Sequence, residues 1–301
     1  MDKYLFQHEK WLQHYNCSFF DIDKIPFEGR YHPVIGSTIF GLAVIFELLY
    51  IPCLISINKH AHHPCYNLMR FIGILDVIVM LINGVFTGIG LMKGWVYCSH
   101  PQLIYGLGTV VTSLWAVVAL ASLVLAFNRC VEMFSSELGR SLFGGSKIYI
   151  WQVIPIFYGL FFFFFEPPAL FSSALCAWFF NPFVLYHEDY VNYVNNGHSF
   201  NNLLVTFGLP ALYITFFVAL AVRTSLIKHT SPQSRSSKKQ YGMFLQVFAI
   251  NVVTLLGCVI YVYMQFFTPN MIIVIIGSFA WLLVHGLPSI IYLTLNKTVR
   301  N

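Results

Sequence analysis

Seven stretches, at about 33–57, 67–91, 101–127, 148–166, 201–222, 243–267 and 271–295, each run for roughly 20 or more mostly apolar residues, and they leave this chain few ways to fold. A helix rising about 1.5 Å per residue crosses a hydrocarbon core in about that length. Mean hydropathy is +0.70 and only 10% of residues are charged, so there are more apolar side chains than one core can hide. Many must face lipid, where a backbone satisfies its own polar groups only as a helix or a closed barrel. The expectation is an all-α polytopic membrane protein, a seven-transmembrane-helix bundle. Residues 1–32 carry nine charges and no apolar run that would serve as a cleavable signal, so they read as a segment preceding a membrane domain at 33–301. Targeting then falls to the first span.

The stretch from Pro168 to Tyr186 is apolar enough to raise the question of an eighth span. With seven spans, Lys and Arg divide 12 to 5 between the two sides, which puts the N-terminus outside and the C-terminus in the cytoplasm. An eighth span returns the same split with the N-terminus inside. Pro167-Pro168 and Asn181-Pro182 bracket the stretch closely, which suits a broken external segment better than a span. The sequon Asn16-Cys17-Ser18 agrees, making Asn16 the expected glycosylation site. In that orientation the external loop 166–200 holds Glu166, Glu188 and Asp189 with no Lys or Arg. The cytoplasmic loop 223–242 is the reverse, with Arg223, Lys228, Arg235, Lys238 and Lys239 and no acid. It suits anionic lipid heads and acidic partners, and Ser231, Pro232, Ser234, Ser236 and Ser237 make it read as a flexible, phosphorylatable linker.

Ionisable groups inside spans are costly and therefore point to function. Glu47 and Asp76 are two, and helix arithmetic places them with Asn251 and His285 in one layer roughly 12 to 15 Å above the cytoplasmic boundary. A layer of hydrogen-bonding groups on several helices can hold more than one arrangement, which a switch requires. Neutral polar glue between helices is the plainer reading. Arg129 closes the third span, either as a snorkelling helix end or as a functional cation. Pro52, Pro155, Pro210 and Pro288 interrupt four spans. Of seven cysteines, Cys17, Cys98 and Cys176 fall on the oxidising side, and a Cys98–Cys176 bond would pin the long loop over the bundle mouth, with Cys17 as a competing partner.

His60, His62 and His63 form a HAHH run, too little for a di-iron site, and GxSxG, Walker and HExxH patterns are absent. The chain is read as a non-enzyme with no metal ion, no cofactor and no nucleic-acid partner. The spans show no internal repeat, which counts against an inverted-repeat transporter.

An ordered series of motifs carries a resemblance. Tyr15-Asn16-Cys17-Ser18, Leu49-Tyr50-Ile51-Pro52, Cys65-Tyr66-Asn67-Leu68-Met69, Leu125-Ala126-Phe127-Asn128-Arg129-Cys130, Trp178-Phe179-Phe180-Asn181-Pro182, and His285-Gly286-Leu287-Pro288 running on to Tyr292 and Arg300 resemble the nematode serpentine receptors of class T over nearly the whole chain. The resemblance implies a chemosensory G-protein-coupled receptor at the plasma or ciliary membrane of a neuron. Three features depart from the rhodopsin-like pattern: Arg129 follows Asn128 instead of an acid, span six lacks a proline beneath a tryptophan, and Pro288 and Tyr292 are four apart. No eighth helix or palmitoylated tail is expected after span seven.

On this reading a small molecule binds in the outer half of the bundle, with Asn83, Thr87, Tyr105, Tyr158, Tyr261 and Gln265 as candidates by depth. Glu47, Asp76, Asn251, His285, Pro288 and Tyr292 form the switch, and Arg129 couples to a heterotrimeric G protein at loops 128–147 and 223–242. The alternative is a transporter or channel whose path runs through Glu47, Asp76 and His285.

Overall fold

A computed structural model describes residues 1–184, 193–228, 234–267, 270–296 and 299; within these, the side chains of 23, 223–228, 234–245, 247, 265 and 266 are not described. The chain is helical throughout its apolar runs. Two short helices, α1 (Asp2–Phe6) and α2 (His8–Tyr15), precede α3 (Pro33–Lys59), α4 (Pro64–Met80) and α5 (Thr87–Lys93), the last two joined without a break by a π-helical turn at Leu81–Phe86. Then follow α6 (Pro101–Phe134), α7 (Ser136–Phe143), α8 (Lys147–Phe165), the strands β1 (Leu170–Ser172) and β2 (Ala177–Phe179), α9 (Asn196–Lys228), α10 (Ser234–Phe266) and α11 (Met271–Leu295). Among the described residues, six helical stretches are long and apolar enough to cross a membrane, and a shorter apolar stretch, Phe248–Met264 of α10, accompanies them. Together they match the seven runs expected.

Local chemistry sets the boundaries. Pro33, Pro64 and Pro101 stand at the first turns of α3, α4 and α6, where a missing N–H costs nothing and φ is already helical. Gly94 closes α5 at φ +67, a left-handed conformation that favours glycine. Asn270 caps α11 by accepting from the Ile273 amide at 2.9 Å. On α8, Ile150, Val153, Ile154, Phe157, Phe161 and Phe165 are exposed at helical spacing, an apolar stripe of the kind that faces lipid.

Pro168–Tyr186 forms no eighth helix among its described residues. β1 and β2 pair antiparallel, Leu170 opposite Phe179 and Ser172 opposite Ala177, around a turn in which Cys176 takes φ 56. This hairpin is sunk into the bundle mouth, and hydroxyls from three helices hold it. Thr112 accepts from the Ala169 amide at 3.0 Å, Thr87 accepts from Trp178 Nε1 at 2.9 Å, and Ser278 donates to the Cys176 carbonyl at 2.8 Å. Gly108 is required beside it, because a Cβ there would collide with the Ala169 carbonyl.

The expected Cys98–Cys176 bond is not formed. Cys98 bonds Cys17, with Cα atoms 5.5 Å apart, and Cys176 is a buried free thiol whose pKa burial pushes up to about 12. The reason is that residues 1–32 pack onto the bundle. Trp11 and Tyr15 meet the Tyr105 ring edge-on at 5.7 and 4.9 Å, Tyr97 donates to the Tyr15 carbonyl, and Tyr193 donates to the His14 carbonyl. This cap carries Cys17 to Cys98. Asn16, on the cap, is half-buried and accepts from the Ser18 amide.

A second correction concerns the opposite, open end. Arg129 does not end its helix, since α6 continues to Phe134 and α7 follows at once. Where a linker is expected over 223–242, the described residues are helical: α9 runs to Lys228 and α10 starts at Ser234, and Ser231 and Pro232 lie outside the described residues.

Candidate functional site

Among the described residues, three of the cavities follow one another through shared side chains. The outer one, about 50 Å³, sits beneath the hairpin and is lined by Thr112 and Trp115 of α6, Trp178 and Phe180, His198 and Asn202 of α9, Gly257, Cys258 and Tyr261 of α10, and Trp281 and Val284 of α11. The middle one, about 40 Å³, is bounded by Asp76, Ser122, Arg129, Tyr213, Gln246, Asn251, Thr254, Pro288 and Tyr292 among others. The third is an open groove of about 530 Å³ edged by His62, His63, Arg129, Glu132, Arg140 and Phe216. Trp115 and Val284 line both the outer and middle cavities, and Arg129 lines both the middle cavity and the groove. Each boundary is therefore a small set of side chains.

The outer partition is held from α9. Trp115 Nε1 donates to Asn202 Oδ1 at 2.9 Å, and the Asn202 amide nitrogen reaches His198 Nδ1 at 3.4 Å. Indole N–H can only donate, so this bond fixes the orientation of the Asn202 amide. The inner face of Trp115 meets the His285 ring edge-on at 5.9 Å.

His285 belongs to the polar cluster at the top of the middle cavity. Its Nδ1 lies 2.7 Å from Asp76 Oδ1, and Tyr50 Oη lies 2.9 Å from Asp76 Oδ2 and 2.6 Å from the His285 carbonyl. All three residues are buried. Tyr50 donates its one proton toward both Asp76 Oδ2 and the His285 carbonyl, and Asp76 Oδ1 pairs with His285 Nδ1, so each carboxyl oxygen has a partner. Gly286 makes this possible, because a Cβ there would overlap the Phe46 ring and push α11 away from α3.

Below the cluster, Asn251 hydrogen-bonds Tyr213, and Gln246 is 1% exposed with both amide atoms unpartnered among the described residues, so the cavity is polar enough for water. Arg129 is 5% exposed and its guanidinium approaches Met69 Sδ at 3.8 Å. Met69 is seven residues, roughly 10 Å, along α4 from Asp76, so the middle cavity separates the carboxyl from the guanidinium by about two turns.

The structure brings together Asp76 and His285, and lines the same cavity with Asn251, Pro288, Tyr292 and Arg129. Glu47 stands apart. It is half-buried, its Oε1 has no partner among the described residues, and it joins neither Asp76 nor His285. Of the ligand candidates, Tyr261 lines the outer cavity and Thr87 touches it through Trp178. Asn83 is buried in the π-helical turn, Tyr105 is in the aromatic cap, and Tyr158 buries its hydroxyl on α8. The Gln265 side chain lies outside the described residues. Sequence reasoning missed Tyr50, Trp115, Asn202 and Gln246. The signal available for Tyr50 was its place one turn from Glu47; Trp115 and Asn202 matter through each other, across two helices. Among the described residues no three His, Cys, Asp or Glu side chains gather as a metal site, and His62 and His63 edge the groove.

Comparison with known proteins agrees with this architecture. The chain matches the family described as "Serpentine type 7TM GPCR chemoreceptor Srt" over residues 2–301. It is 26% identical over 235 residues to "Serpentine receptor class T-55" of Caenorhabditis elegans, a stretch covering 78% of this chain and 63% of that protein's own length. A bundle of apolar helices with cavities linked by shared side chains and a match from end to end place the chain in the Srt family of serpentine seven-helix chemoreceptors, multi-pass membrane proteins.

Proposed function

We propose that this chain is a chemosensory receptor that binds a small molecule in the outer cavity and activates a heterotrimeric G protein at the open groove. The capped end faces outside and the groove faces the cytoplasm, as the 12 to 5 division of basic residues favours, in the plasma membrane or its ciliary extension. The observation that carries this reading is the file of cavities with Trp115 at one boundary and Arg129 at the other. A ligand seated against Trp115 bears on Asn202 of α9 and on His285 of α11 together, and His285 holds Asp76. Both α9 and α10 line the middle cavity, so a change in the cluster is a change in how those helices sit around Arg129. The guanidinium then supplies hydrogen-bond donors to the carbonyls of an inserted partner helix, with loops 128–147 and 223–242 as the rest of the contact. Ligand binding shifts the balance between the two arrangements.

The same file gives a transport reading one supporting observation, the buried Asp76–His285 pair, which resembles a proton relay. Arg129 and Trp115 interrupt that path, which favours the receptor. A small-molecule screen with guanine-nucleotide exchange as readout, run beside flux and current measurements in cells lacking other receptors, tests the proposal. Flux without exchange would replace it with the transport reading.

A further inference from the structure

The wall of the outer cavity restricts what can enter it. Five aromatic side chains, Trp115, Trp178, Phe180, Tyr261 and Trp281, line it, with the His198 imidazole near Phe180 not counted. Two of the indole N–H groups are already committed to the protein, Trp115 to Asn202 and Trp178 to Thr87, so those rings offer the cavity only their apolar parts. Among the described residues no Asp, Glu, Lys or Arg lines it. An entering anion would lose its hydration with no cation to meet it. An entering ammonium would gain ring faces but no carboxylate, and a cation–π contact recovers only part of what desolvation removes. Size limits the occupant too. An apolar cavity of about 150 Å³ accommodates benzene, whereas this one measures about 50 Å³.

We propose that the outer cavity is selective for neutral molecules of a few heavy atoms with an apolar or unsaturated body, and that it excludes ions of either sign. This inference rests on the reading of the cavity as the ligand site, but its test does not depend on signalling.

Cys258 is a free buried thiol in the cavity wall and serves as a native reporter. The full chain in lipid nanodiscs is treated at mildly alkaline pH with 3,3-dimethylbutyl methanethiosulfonate, which is neutral and matches the trimethylammonioethyl reagent in size and shape, and with the trimethylammonioethyl and sulfonatoethyl reagents. In each case the thiolate attacks the sulfenyl sulfur, methanesulfinate leaves, and a mixed disulfide forms. Peptide mass mapping then gives the rate at Cys258. The expected result is labelling by the neutral reagent at least tenfold faster than by either charged one. A charged reagent within tenfold of the neutral one overturns the proposal, and preference for the trimethylammonium reagent in particular would make the site an aromatic cage for cations.

If none of the three reaches the thiol, quenching of tryptophan fluorescence decides by the same tenfold criterion, with acrylamide as neutral probe and iodide and caesium as ions. The share due to the cavity is the difference between the wild-type chain and Trp281→Phe. Failure of acrylamide to exceed both ions there overturns the proposal as well. A cavity that passes either test while no small neutral compound drives nucleotide exchange would refute the receptor reading and leave this one standing. Labelling by ions together with normal signalling would do the reverse.

Discussion

The two ends of the bundle are built on opposite principles. At the capped end a disulfide, an aromatic cluster and three hydroxyl contacts to the hairpin tie α2, α4–α5, α6 and α11 together around a cavity of about 50 Å³. At the open end the groove is about tenfold larger, at about 530 Å³, and its edge is made of His62, His63, Glu132 and Arg140. Covalent and aromatic ties suit an end that must keep one shape around a small molecule. A polar groove that holds no disulfide among the described residues can change width, because rearranging solvated side chains costs little. On the proposed receptor reading, the difference gives recognition to the tied end and conformational response to the open one, with Asp76, His285 and Tyr50 between them.

The largest effect on signalling is expected at the open end. Arg129→Ala, at matched surface levels, should reduce G-protein nucleotide exchange by more than tenfold, roughly 1.4 kcal/mol or more of coupling, while leaving ligand binding at the capped end unchanged. Normal exchange from that variant would remove the functional distinction between the ends. The transport reading expects the opposite ordering, with Asp76→Asn stopping flux and Arg129→Ala nearly silent.

Next comes the tie itself. Cys17→Ser or Cys98→Ser should lower stability by about 2–5 kcal/mol, whereas Cys176→Ser should cost less than about 1 kcal/mol, as read by thermal unfolding in detergent. Equal losses for Cys17 and Cys176 would contradict the pairing.

Between the ends, Asp76→Ala should cost about 2–4 kcal/mol because it leaves His285 Nδ1 buried without its partner. Asp76→Asn should cost less than about 1 kcal/mol, since an amide of nearly the same shape can accept from His285 Nδ1 while Tyr50 keeps its bond to the His285 carbonyl. Its effect should appear instead as a changed balance of signalling states. A large loss of folded protein from Asp76→Asn would show that the carboxyl is ionised in the bundle. The smallest effect is expected for Glu47→Gln, within about 0.5 kcal/mol of wild type, because Glu47 stands outside the cluster. A signalling defect there would widen the switch to α3.

The long apolar runs determined the helices by themselves, because lipid leaves a backbone of that length no other way to satisfy its N–H and C=O groups. The prolines around 167–168 and 181–182 likewise announced the break that became a hairpin, and the cost of burying Asp76 announced a partner without naming it. Naming partners needed the tertiary structure. Cys98 had two acceptable candidates on the same side of the membrane. The choice of Cys17 depends on Trp11 and Tyr15 packing against Tyr105, about 90 positions further along the chain. Tyr50, Trp115 and Asn202 are ordinary residues in apolar or neutral runs, and only the close approach of α3 to α11 at Gly286 and of α6 to α9 at Asn202 turns them into a cluster and a partition. Glu47 and Asp76 look alike as intramembrane acids. Helical rotation separates them, turning one toward His285 and leaving the other half-buried at the edge, and a rise per residue fixes depth without fixing which neighbour a side chain meets.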